Sequence, residues 1–464
     1  MTKKKTYFFI GINGIGMSGL AILLAEQGHT ILGSDTSSTL RRDEFNQRGI
    51  KVVDFHCKSH ISDADWTIVY SSAISADNPE RQQAKALGCQ QVKRGALLAM
   101  VMCEFKHQLG VVGTHGKTTT TSLLIHIFSE FLSPSYFVGG HLDGAPHAQL
   151  NASDWFISEL DESDGSFLSA VPNHAIITNI EHEHINYYLT KADMVMAFQA
   201  FIQAIIDSGG VCAINIDDSV SKKLIHPWRT RASLITYGIE SEKAQVRADS
   251  IQYTWQGISF RLIINGAFTD TVTVPLMGRH NVYNTLSAIA ILIQANIPLK
   301  HVLNGLASFR GVRRRLELKY QANGISLYDD YAHHPTEVIS TLEGIYKSFS
   351  NHRIITIFQP HRYSRLTNLF EAFATSFERS SKTCIMPVFS TGESPDNYKS
   401  SMDLTERIND HGGCAVCFNT VNEVIDDLSG QLRNNDIILI MGAGDITNIA
   451  KDLVPLIKNT RSSY

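Results

Sequence analysis

The stretch that decides the fold reads Leu109-Gly-Val-Val-Gly-Thr-His-Gly-Lys-Thr-Thr-Thr-Thr-Ser-Leu-Leu-Ile125. Residues 109–112 are an apolar run that predicts a strand, and residues 122–125 start a helix. A glycine turn that ends in Gly116-Lys117-Thr118 lies between them. This order is that of a phosphate-binding loop, in which backbone N–H groups hold phosphate oxygens, the lysine neutralises charge and the threonine hydroxyl reaches a metal ion.

The loop departs from the strict pattern at one position. A glycine is expected five residues before Gly116, where this chain has Val111, so the loop is a shortened variant whose first glycine is Gly113. The alternative is a solvated Gly-Lys-Thr turn, but the flanking strand and helix favour the phosphate loop. The sequence therefore predicts nucleotide contacts from Gly113, Thr114, His115, Gly116, Lys117, Thr118 and Thr119.

A second glycine turn lies near the N-terminus. Strands are predicted at 7–10 and 30–32, with a helix at 18–27 between them. The GxGxxG turn at 14–19 joins the first strand to the helix, as in a Rossmann-like unit, and Asp35 follows the second strand, where an acidic residue often meets a ribose. The pattern alone indicates a diphosphate site without saying which nucleotide is bound. The predicted contacts are Gly14, Ile15, Gly16, Met17, Ser18 and Asp35.

Two serines extend this candidate site. Ser71 and Ser72 follow a predicted strand at 67–70, and their hydroxyls can either hydrogen-bond a ligand or belong to a simple turn. One chain thus carries two sites of nucleotide type, which we expect in separate domains, at 1–105 and 106–310. A third domain is expected at 311–464.

The length, charge and cysteine content of the chain limit the classes of protein to which it can belong. The 464 residues are enough for about three domains, and the net charge of −4 gives no electrostatic footprint for nucleic acid. The seven cysteines are odd in number and irregularly spaced, which favours a reducing compartment and a cytoplasmic location. No apolar stretch reaches the ~18 residues that a membrane-spanning helix needs, so no membrane insertion is expected.

Acidic residues and histidines follow two predicted strands of the central region. The strand at 155–158 ends in Glu159, and the strand at 175–178 leads to His182 and His184. Because ligands bind beyond the carboxyl ends of the strands in open α/β sheets, these side chains can hold Mg²⁺ beside the phosphate loop. For Glu159 we favour this role, whereas Asp161, Glu162 and Asp164 can equally form a solvated acidic loop. The two histidines are not both assumed to be ligands.

The chain changes pattern at 245–274 and again near 310. Short alternating strands with an Asn265-Gly266 turn predict an antiparallel flap on the central domain. The last third is again βαβ-like, and its strands end in polar segments at 329–334, 359–365 and 442–445, which predict one cleft. The basic segment at 309–315 is either a solvated linker or helix C-cap, or it is a phosphate or carboxylate clamp.

Six segments of the chain resemble those of the Mur ligase family of peptidoglycan synthesis, and the resemblance covers essentially the whole length. The segments at 329–338 and 358–365 resemble most closely the family member that adds L-alanine. The segments that carry the resemblance are Gly-Ile-Asn-Gly-Ile-Gly-Met-Ser-Gly (11–19), Gly-Thr-His-Gly-Lys-Thr-Thr-Thr-Thr (113–121), Asp-Glu-Ser-Asp-Gly-Ser-Phe (161–167), His-Asn-Val-Tyr-Asn (280–284), Asp-Asp-Tyr-Ala-His-His-Pro-Thr-Glu-Val (329–338) and Phe-Gln-Pro-His-Arg-Tyr-Ser-Arg (358–365).

The resemblance implies an α/β chain of three domains: a Rossmann-like domain for a UDP-sugar, a phosphate-loop ATPase domain with the flap, and a Rossmann-like domain for an amino acid. It implies an ATP-dependent ligase that joins L-alanine to the lactyl carboxylate of UDP-N-acetylmuramate through an acyl phosphate. The implied cofactors are ATP and Mg²⁺, with Mn²⁺ as an alternative metal, and the implied assembly is a monomer or homodimer.

The resemblance also implies residue roles. Lys117 would stabilise the γ-phosphoryl group, and Arg314 would approach the phosphates when the C-terminal domain closes. The metal ligands would be Thr118, Glu159 and His184. Further ATP contacts would be His280, Asn281 and Asn284. Ser71 and Ser72 would help to hold the UDP diphosphate. The cleft for the substrate carboxylate and the amino acid would contain Tyr331, His333, Arg362 and Arg365.

Three alternatives stay open on sequence alone. A ligase that recycles murein tripeptide shares the loop, but it typically has Asp-Glu-Tyr-Asp where this chain has Asp161-Glu-Ser-Asp164. An NAD-dependent dehydrogenase would explain the turn at 14–19 and leave the phosphate loop without a role. A nucleotide-gated binding protein would use both turns without ligase chemistry.

Overall fold

A computed structural model describes residues 4–37, 41–140, 146–184, 187–228 and 230–460. They form three β-sheets with helices packed against them. The α/β class and the three domains that the sequence predicts are therefore confirmed.

The first sheet has five parallel strands in the order β3-β2-β1-β4-β5, which is the order of a Rossmann-like sheet. The helix after β1 begins at Ile15 with Gly14 as its N-cap, three residues earlier than predicted. The elements are β1 (Thr6–Ile10), α1 (Ile15–Glu26), β2 (Thr30–Ser34), α2 (Arg42–Gln47), β3 (Lys51–Val53), β4 (Thr67–Tyr70), α3 (Pro79–Leu87), β5 (Gln90–Lys93) and α4 (Arg94–Met102).

The second sheet has ten strands in the order β15-β14-β13-β12-β11-β10-β6-β9-β7-β8. Its centre pairs β6 in parallel with β10 and β9, so the segments after these three strands emerge at one edge. The elements are β6 (His107–Val112), α5 (Lys117–Ser129), β7 (Ser135–Phe137), β8 (Ala148–Gln149), β9 (Trp155–Glu159), β10 (His174–Ile177), α6 (Lys191–Asp207), β11 (Val211–Asn215), α7 (Ser219–Leu224), β12 (Leu234–Gly238), β13 (Val246–Thr254), β14 (Gly257–Ile264), β15 (Ala267–Val274), α8 (Arg279–Gln294) and α9 (Leu299–Ser308).

The predicted flap is present as β13, β14 and β15. Asn265 and Gly266 join β14 to β15 as a two-residue turn, and both have positive φ, 49° and 81°. Positive φ at both central residues is what a tight hairpin of this kind requires. The Asn-Gly pair therefore sets this antiparallel connection, as expected.

The third sheet has six strands in the order β16-β17-β21-β18-β19-β20, and only β16 is antiparallel to its neighbour. Strand β19 ends at Ile385, two residues before Pro387, which has no N–H for the ladder. The elements are β16 (Glu317–Ala322), β17 (Ile325–Asp330), α10 (Pro335–Ser348), β18 (Arg353–Phe358), α11 (Tyr363–Asn368), α12 (Phe370–Ala374), β19 (Lys382–Ile385), α13 (Ser401–Asp410), β20 (Ala415–Cys417), α14 (Val421–Leu428), β21 (Asp436–Met441) and α15 (Ala450–Asn459).

The chain packs as two compact units. One unit comprises Met1–Ser250, Arg261–Val272 and Tyr283–Phe309, and the other comprises Ile251–Phe260, Thr273–Val282 and Arg310–Tyr464. Within the first unit, one apolar core contains Leu20 of α1, Val101 of α4 and Phe167 beyond β9. The first two domains therefore share a core. Among the described residues, no helix combines the length and the apolar character needed to cross a membrane.

Candidate active site

The turn between β6 and α5 has the backbone of a phosphate-binding loop. Gly113 and Gly116 both have positive φ, 137° and 83°, a region that L side chains rarely adopt. A Cβ on Gly116 would lie 2.5 Å from the Asn284 side chain, and one on Gly113 would lie 2.9 Å from the Asn179 carbonyl. Both glycines are therefore required, and Asn284, a predicted ATP contact, borders the loop.

The segment after β10 fixes the shape of this loop. The Thr114 N–H donates to the Asn179 carbonyl at 3.1 Å, and the Thr114 hydroxyl donates to the Glu181 carbonyl at 3.0 Å. The His115 N–H donates to Asn179 Oδ1, and His115 Nε2 lies 3.0 Å from Glu181 Oε2. These bonds fix the loop at the start of α5, where the first N–H groups of a helix lack helical acceptors and can bind an anion.

Lys117 is folded back onto its own loop. Its ammonium donates to the carbonyls of Gly113 and Thr114 at 2.6 and 3.1 Å, and it pairs with the Glu162 carboxylate at 2.8 Å. Burial alone would lower the pKa of Lys117, but the Glu162 and Glu159 carboxylates outweigh it and raise that pKa above its ordinary value. The lysine is therefore held as a cation at the loop.

Glu162 is fully buried, so the interpretation of a solvated acidic loop is wrong for this residue. Its carboxylate accepts from Lys117 and lies 3.1 Å from His184 Nε2. His184 has a φ of 55°, a conformation that costs a non-glycine residue of order 1–3 kcal/mol unless its surroundings enforce it. The contact with Glu162 is one such constraint.

Two of the three predicted metal ligands meet directly. The Thr118 hydroxyl donates to Glu159 Oε2 at 3.0 Å, and the Gly139 N–H donates to the same oxygen at 3.1 Å. A hydroxyl and a carboxylate at the mouth of a phosphate loop are hard oxygen donors, which is the donor type that Mg²⁺ prefers. The residues present thus fit the metal. Thr119, the next residue in the first turn of α5, is buried as well.

The N-terminal glycine turn runs from Gly11, with a φ of 79°, to Gly14 at the start of α1. The Asn13 N–H donates to Asp35 Oδ2 at 2.9 Å, and Asp35 Oδ1 accepts from the Ser37 N–H and hydroxyl. Asp35 therefore ties the turn to the end of β2. Ile15, Gly16, Met17 and Ser18 form the first turn of α1 and, apart from Ile15, are buried.

His147 of the central domain and Arg94 of the N-terminal domain both contact the first turn of α1. The Ser18 hydroxyl lies 3.2 Å from Nε2 of the buried His147, whose ring also contacts the Arg41 guanidinium. The missing side chain of Gly16 makes room for Arg94, whose Nη1 lies 2.5 Å from the place a Cβ would take. Ser71 and Ser72 follow β4, next to β1 in the sheet, so they lie at the edge where this turn emerges.

In the second unit, Arg314 is tied into the glycine turn after β21. Its guanidinium donates to the carbonyls of Gly442 and Gly444 at 2.5 and 3.1 Å, and it lies 4.9 Å from the centre of the Tyr331 ring. Arg314 has a φ of 56°, and its carbonyl accepts from the Tyr331 N–H. The interpretation of a solvated linker is therefore wrong for Arg314.

The segments after β17 and β18 form one basic cluster. The rings of Tyr331 and His333 lie 5.4 Å apart, and those of His333 and His361 lie 5.9 Å apart. Arg365 Nη1 lies 3.1 Å from His361 Nδ1. Burial, assisted by Arg365 and His333, lowers the pKa of His361 to about 3, so this imidazole is neutral. Arg362 is exposed, with a φ of 69°, in the same turn.

The remaining predicted ATP contacts fall at the start of α8. His280 and Asn281 belong to the second unit, whereas Asn284 belongs to the first. The Asn281 side chain donates to the Met277 carbonyl at 2.7 Å, and it lies 3.1 Å from His280 Nε2.

Sequence reasoning missed the roles of Asn179, Glu181 and Arg94. The first two directly follow β10, and the pairing of β10 with β6 brings them to the phosphate loop. Polar residues at the end of a predicted neighbouring strand were the available signal. Arg94 opens α4 outside any motif, so no local pattern indicated it.

A loop with the backbone of a phosphate-binding loop, a cation fixed at it and a second glycine turn in a Rossmann-like sheet are typical of α/β proteins that bind nucleotides. Models of the Mur ligase family match the chain in three places. The "Mur ligase family, catalytic domain" matches residues 6–106, the "Mur ligase middle domain" 111–292, and the "Mur ligase, glutamate ligase domain" 314–444.

Similar proteins agree with these matches. A UDP-N-acetylmuramate–L-alanine ligase of Sulfurihydrogenibium sp. is 38% identical over 97% of this chain and 97% of its own length, and one of Clostridium botulinum is 34% identical over 98% of each. The crystal structure of UDP-N-acetylmuramate–alanine ligase from Thermotoga maritima has a TM-score of 0.81 at 26% identity, covering 99% of this chain and 100% of that one. The chain belongs to the Mur ligase family.

Proposed function

We propose that this chain is the ATP-dependent ligase that joins L-alanine to the lactyl carboxylate of UDP-N-acetylmuramate, an early step of peptidoglycan precursor synthesis. The observation that carries the proposal is the ion pair between Lys117 of the phosphate loop and the buried Glu162, in a chain that matches ligases of this name over nearly its full length.

The reaction needs activation, because a free carboxylate is a poor electrophile. A lactyl carboxylate oxygen attacks the γ-phosphorus of ATP, ADP leaves, and an acyl phosphate forms. The alanine amine then attacks the acyl carbon, loses a proton, and the tetrahedral intermediate expels phosphate. The protein aligns the reactants and neutralises charge.

Lys117 carries the charge neutralisation in the first step. Its ammonium now bonds two loop carbonyls and Glu162, and the γ-phosphoryl oxygens of ATP would take the place of the carbonyls. Glu162 keeps the amine protonated and near the loop. In the family setting, Mg²⁺ supplies further neutralisation of the triphosphate. Thr118 and Glu159 would hold it, with His184 as the third predicted ligand.

The N-terminal turn would hold the UDP diphosphate at the start of α1, where Gly14, Ile15, Gly16, Met17 and Ser18 offer backbone N–H groups. Asp35, with its oxygens already accepting from Asn13 and Ser37, would take a ribose hydroxyl, and Ser71 and Ser72 would contact the phosphates.

The cationic residues of the second unit would receive the amino acid. Arg362 and Arg365 would meet the substrate carboxylate, and Tyr331 and His333 would line the same cleft. Arg314 would approach the phosphates on domain closure. His280, Asn281 and Asn284 would contact ATP. The proposed boundaries remain 1–105, 106–310 and 311–464, and the proposed compartment is the cytoplasm, which agrees with seven unpaired cysteines.

Phosphate release from ATP tests the proposal. With Mg²⁺ and UDP-N-acetylmuramate, sustained release is expected only when L-alanine is present, together with UDP-N-acetylmuramoyl-alanine by mass spectrometry. A parallel assay replaces L-alanine by murein tripeptide and UDP-N-acetylmuramate stays the acceptor. Turnover only with the tripeptide, turnover without any amine, or no turnover in every assay would contradict the proposal.

A further inference from the structure

Arg94, which no motif indicated, stands between the two glycine turns. It opens α4, and its guanidinium lies beside Gly16 in the first turn of α1. Its Nη2 donates to Asp161 Oδ2 at 2.6 Å and lies 3.9 Å from Asp164 Oδ2. Its Nε is buried and has no hydrogen-bond partner among the described residues. A cation with an unused donor thus borders the proposed diphosphate site.

The acidic partner of Arg94 is firmly fixed in its own loop. The Asp161 carboxylate accepts from the Ser163 N–H, and its carbonyl accepts from the Phe167 N–H and the Ser166 hydroxyl. The same carboxylate pairs with the Arg94 guanidinium at 2.6 Å, so this acceptor holds Arg94 at a fixed place.

Asp161 is followed directly by Glu162, the residue that pairs with Lys117 at 2.8 Å. A continuous series of close contacts thus leads from Gly16 through Arg94 and the 161–162 loop to Lys117. All of these contacts lie inside the first compact unit. A shift of the Arg94 guanidinium therefore changes the contacts of the 161–162 loop, which positions Lys117.

We propose that Arg94 is a positioning residue that couples binding of the UDP diphosphate at the N-terminal turn to the position of Lys117 at the phosphate loop. The diphosphate and Asp161 are two anionic acceptors for one guanidinium. Binding of the diphosphate draws Arg94 away from Asp161, loosens the 161–162 loop and leaves Lys117 freer to take the triphosphate. UDP-sugar binding therefore strengthens nucleotide binding, and by linkage the reverse holds. The inference rests on the proposed function.

The test is a pair of calorimetric titrations with the full chain. UDP-N-acetylmuramate is titrated with and without saturating AMP-PNP and Mg²⁺, and the ratio of the two dissociation constants measures the coupling. We expect a ratio of about fivefold or more for the native protein and a ratio near one for Arg94→Met. Asp161→Asn should give the same loss, and the double variant should lose nothing further, because both side chains act through one pair.

A matched control pair lies at the C-terminal end of α1, the helix whose first turn contains Gly16. Arg48 pairs with Glu26 of α1 at 3.1 Å, and Arg48→Met should keep the native ratio. Thermal unfolding of each variant shows whether it is folded. A native ratio of one, or a native ratio retained in Arg94→Met, overturns the proposal. No binding of UDP-N-acetylmuramate by the native protein overturns the proposed function itself, so the two failures are distinguishable.

Discussion

The turns at Gly11–Gly16 and Gly113–Lys117 are the same backbone device used twice. Each follows a buried parallel strand inside its sheet and starts a helix; the first turn contains one glycine with positive φ, Gly11, and the second contains two, Gly113 and Gly116. The difference is charge. The second turn carries its own lysine, fixed by the buried Glu162, whereas the described cations beside the first turn come from elsewhere in the chain, as Arg94 does. A lysine within the turn suits phosphoryl transfer, and a turn without its own cation suits a diphosphate that only has to be bound.

The largest effect should come from Lys117→Ala, which removes the cation from one turn and leaves the other intact. We expect turnover to fall by about a thousandfold or more, with the dissociation constant for UDP-N-acetylmuramate within about threefold of the native value. Phosphate release and calorimetry measure the two. Lys191→Ala, at an exposed position, is the control. A parallel loss of UDP-sugar affinity in Lys117→Ala would break the division into two sites.

The second largest effect should come from metal removal, which should affect the phosphate loop and not the N-terminal turn. Excess EDTA should abolish phosphate release, because the metal that Thr118 and Glu159 would hold is removed, while UDP-N-acetylmuramate still binds in calorimetry. Glu159→Gln weakens the oxygen donor and should raise the Mg²⁺ concentration for half-maximal rate by about tenfold. An unchanged Mg²⁺ dependence in this variant would remove Glu159 from the metal site.

Replacement by alanine should destabilise the protein more at Gly116 than at Gly14. Gly116 has a φ of 83° and lies against Asn284, so Gly116→Ala should cost about 2 kcal/mol of stability. Gly14 has a φ of −55° and ordinary space around a Cβ, with the nearest atom at 3.5 Å, so Gly14→Ala should cost only about 0.5 kcal/mol. Thermal unfolding compares them. Equal losses would mean that the turns are not distinguished by backbone strain.

The smallest expected effect concerns a histidine of the second unit, His361. The pKa of His361 is lowered to about 3 by burial and by Arg365, so the unfolded chain binds a proton there before the folded one does. Its contribution to stability is complete above pH ~6.5 and is lost as the pH falls toward 3. His361→Asn should therefore gain stability relative to the native chain, on the order of 1 kcal/mol by pH 5, since the ring is partly exposed. A difference in melting temperature that is constant between pH 7.5 and 5 would contradict this.

The sequence predicted the fold well where the signal was local. The strand–glycine–helix order at 109–125, the hairpin at Asn265-Gly266 and the parallel strands of the third sheet all have short-range patterns, and each is confirmed. Element ends were less certain, as at β19, which ends two residues before Pro387. Among site residues, the structure brings Thr118 and Glu159 into contact, as the order of strands implied.

Other outcomes depended on contacts between distant segments. Glu162 could be solvent-exposed or buried on sequence grounds, and only the packing shows it buried against a lysine 45 residues away. Arg94 meets Asp161 across 67 residues, and no pattern of neighbours can encode such a pair.

The sequence by itself determined that this chain has two strand–glycine–helix turns and that one of them carries a lysine, because glycine conformation and helix initiation are local properties. The tertiary structure decided which carboxylate holds that lysine, which residues pin the loop and which arginine stands at the other turn. Those facts follow from the sheet order and from burial, since a carboxylate becomes a partner only when folding removes it from water and places a cation beside it.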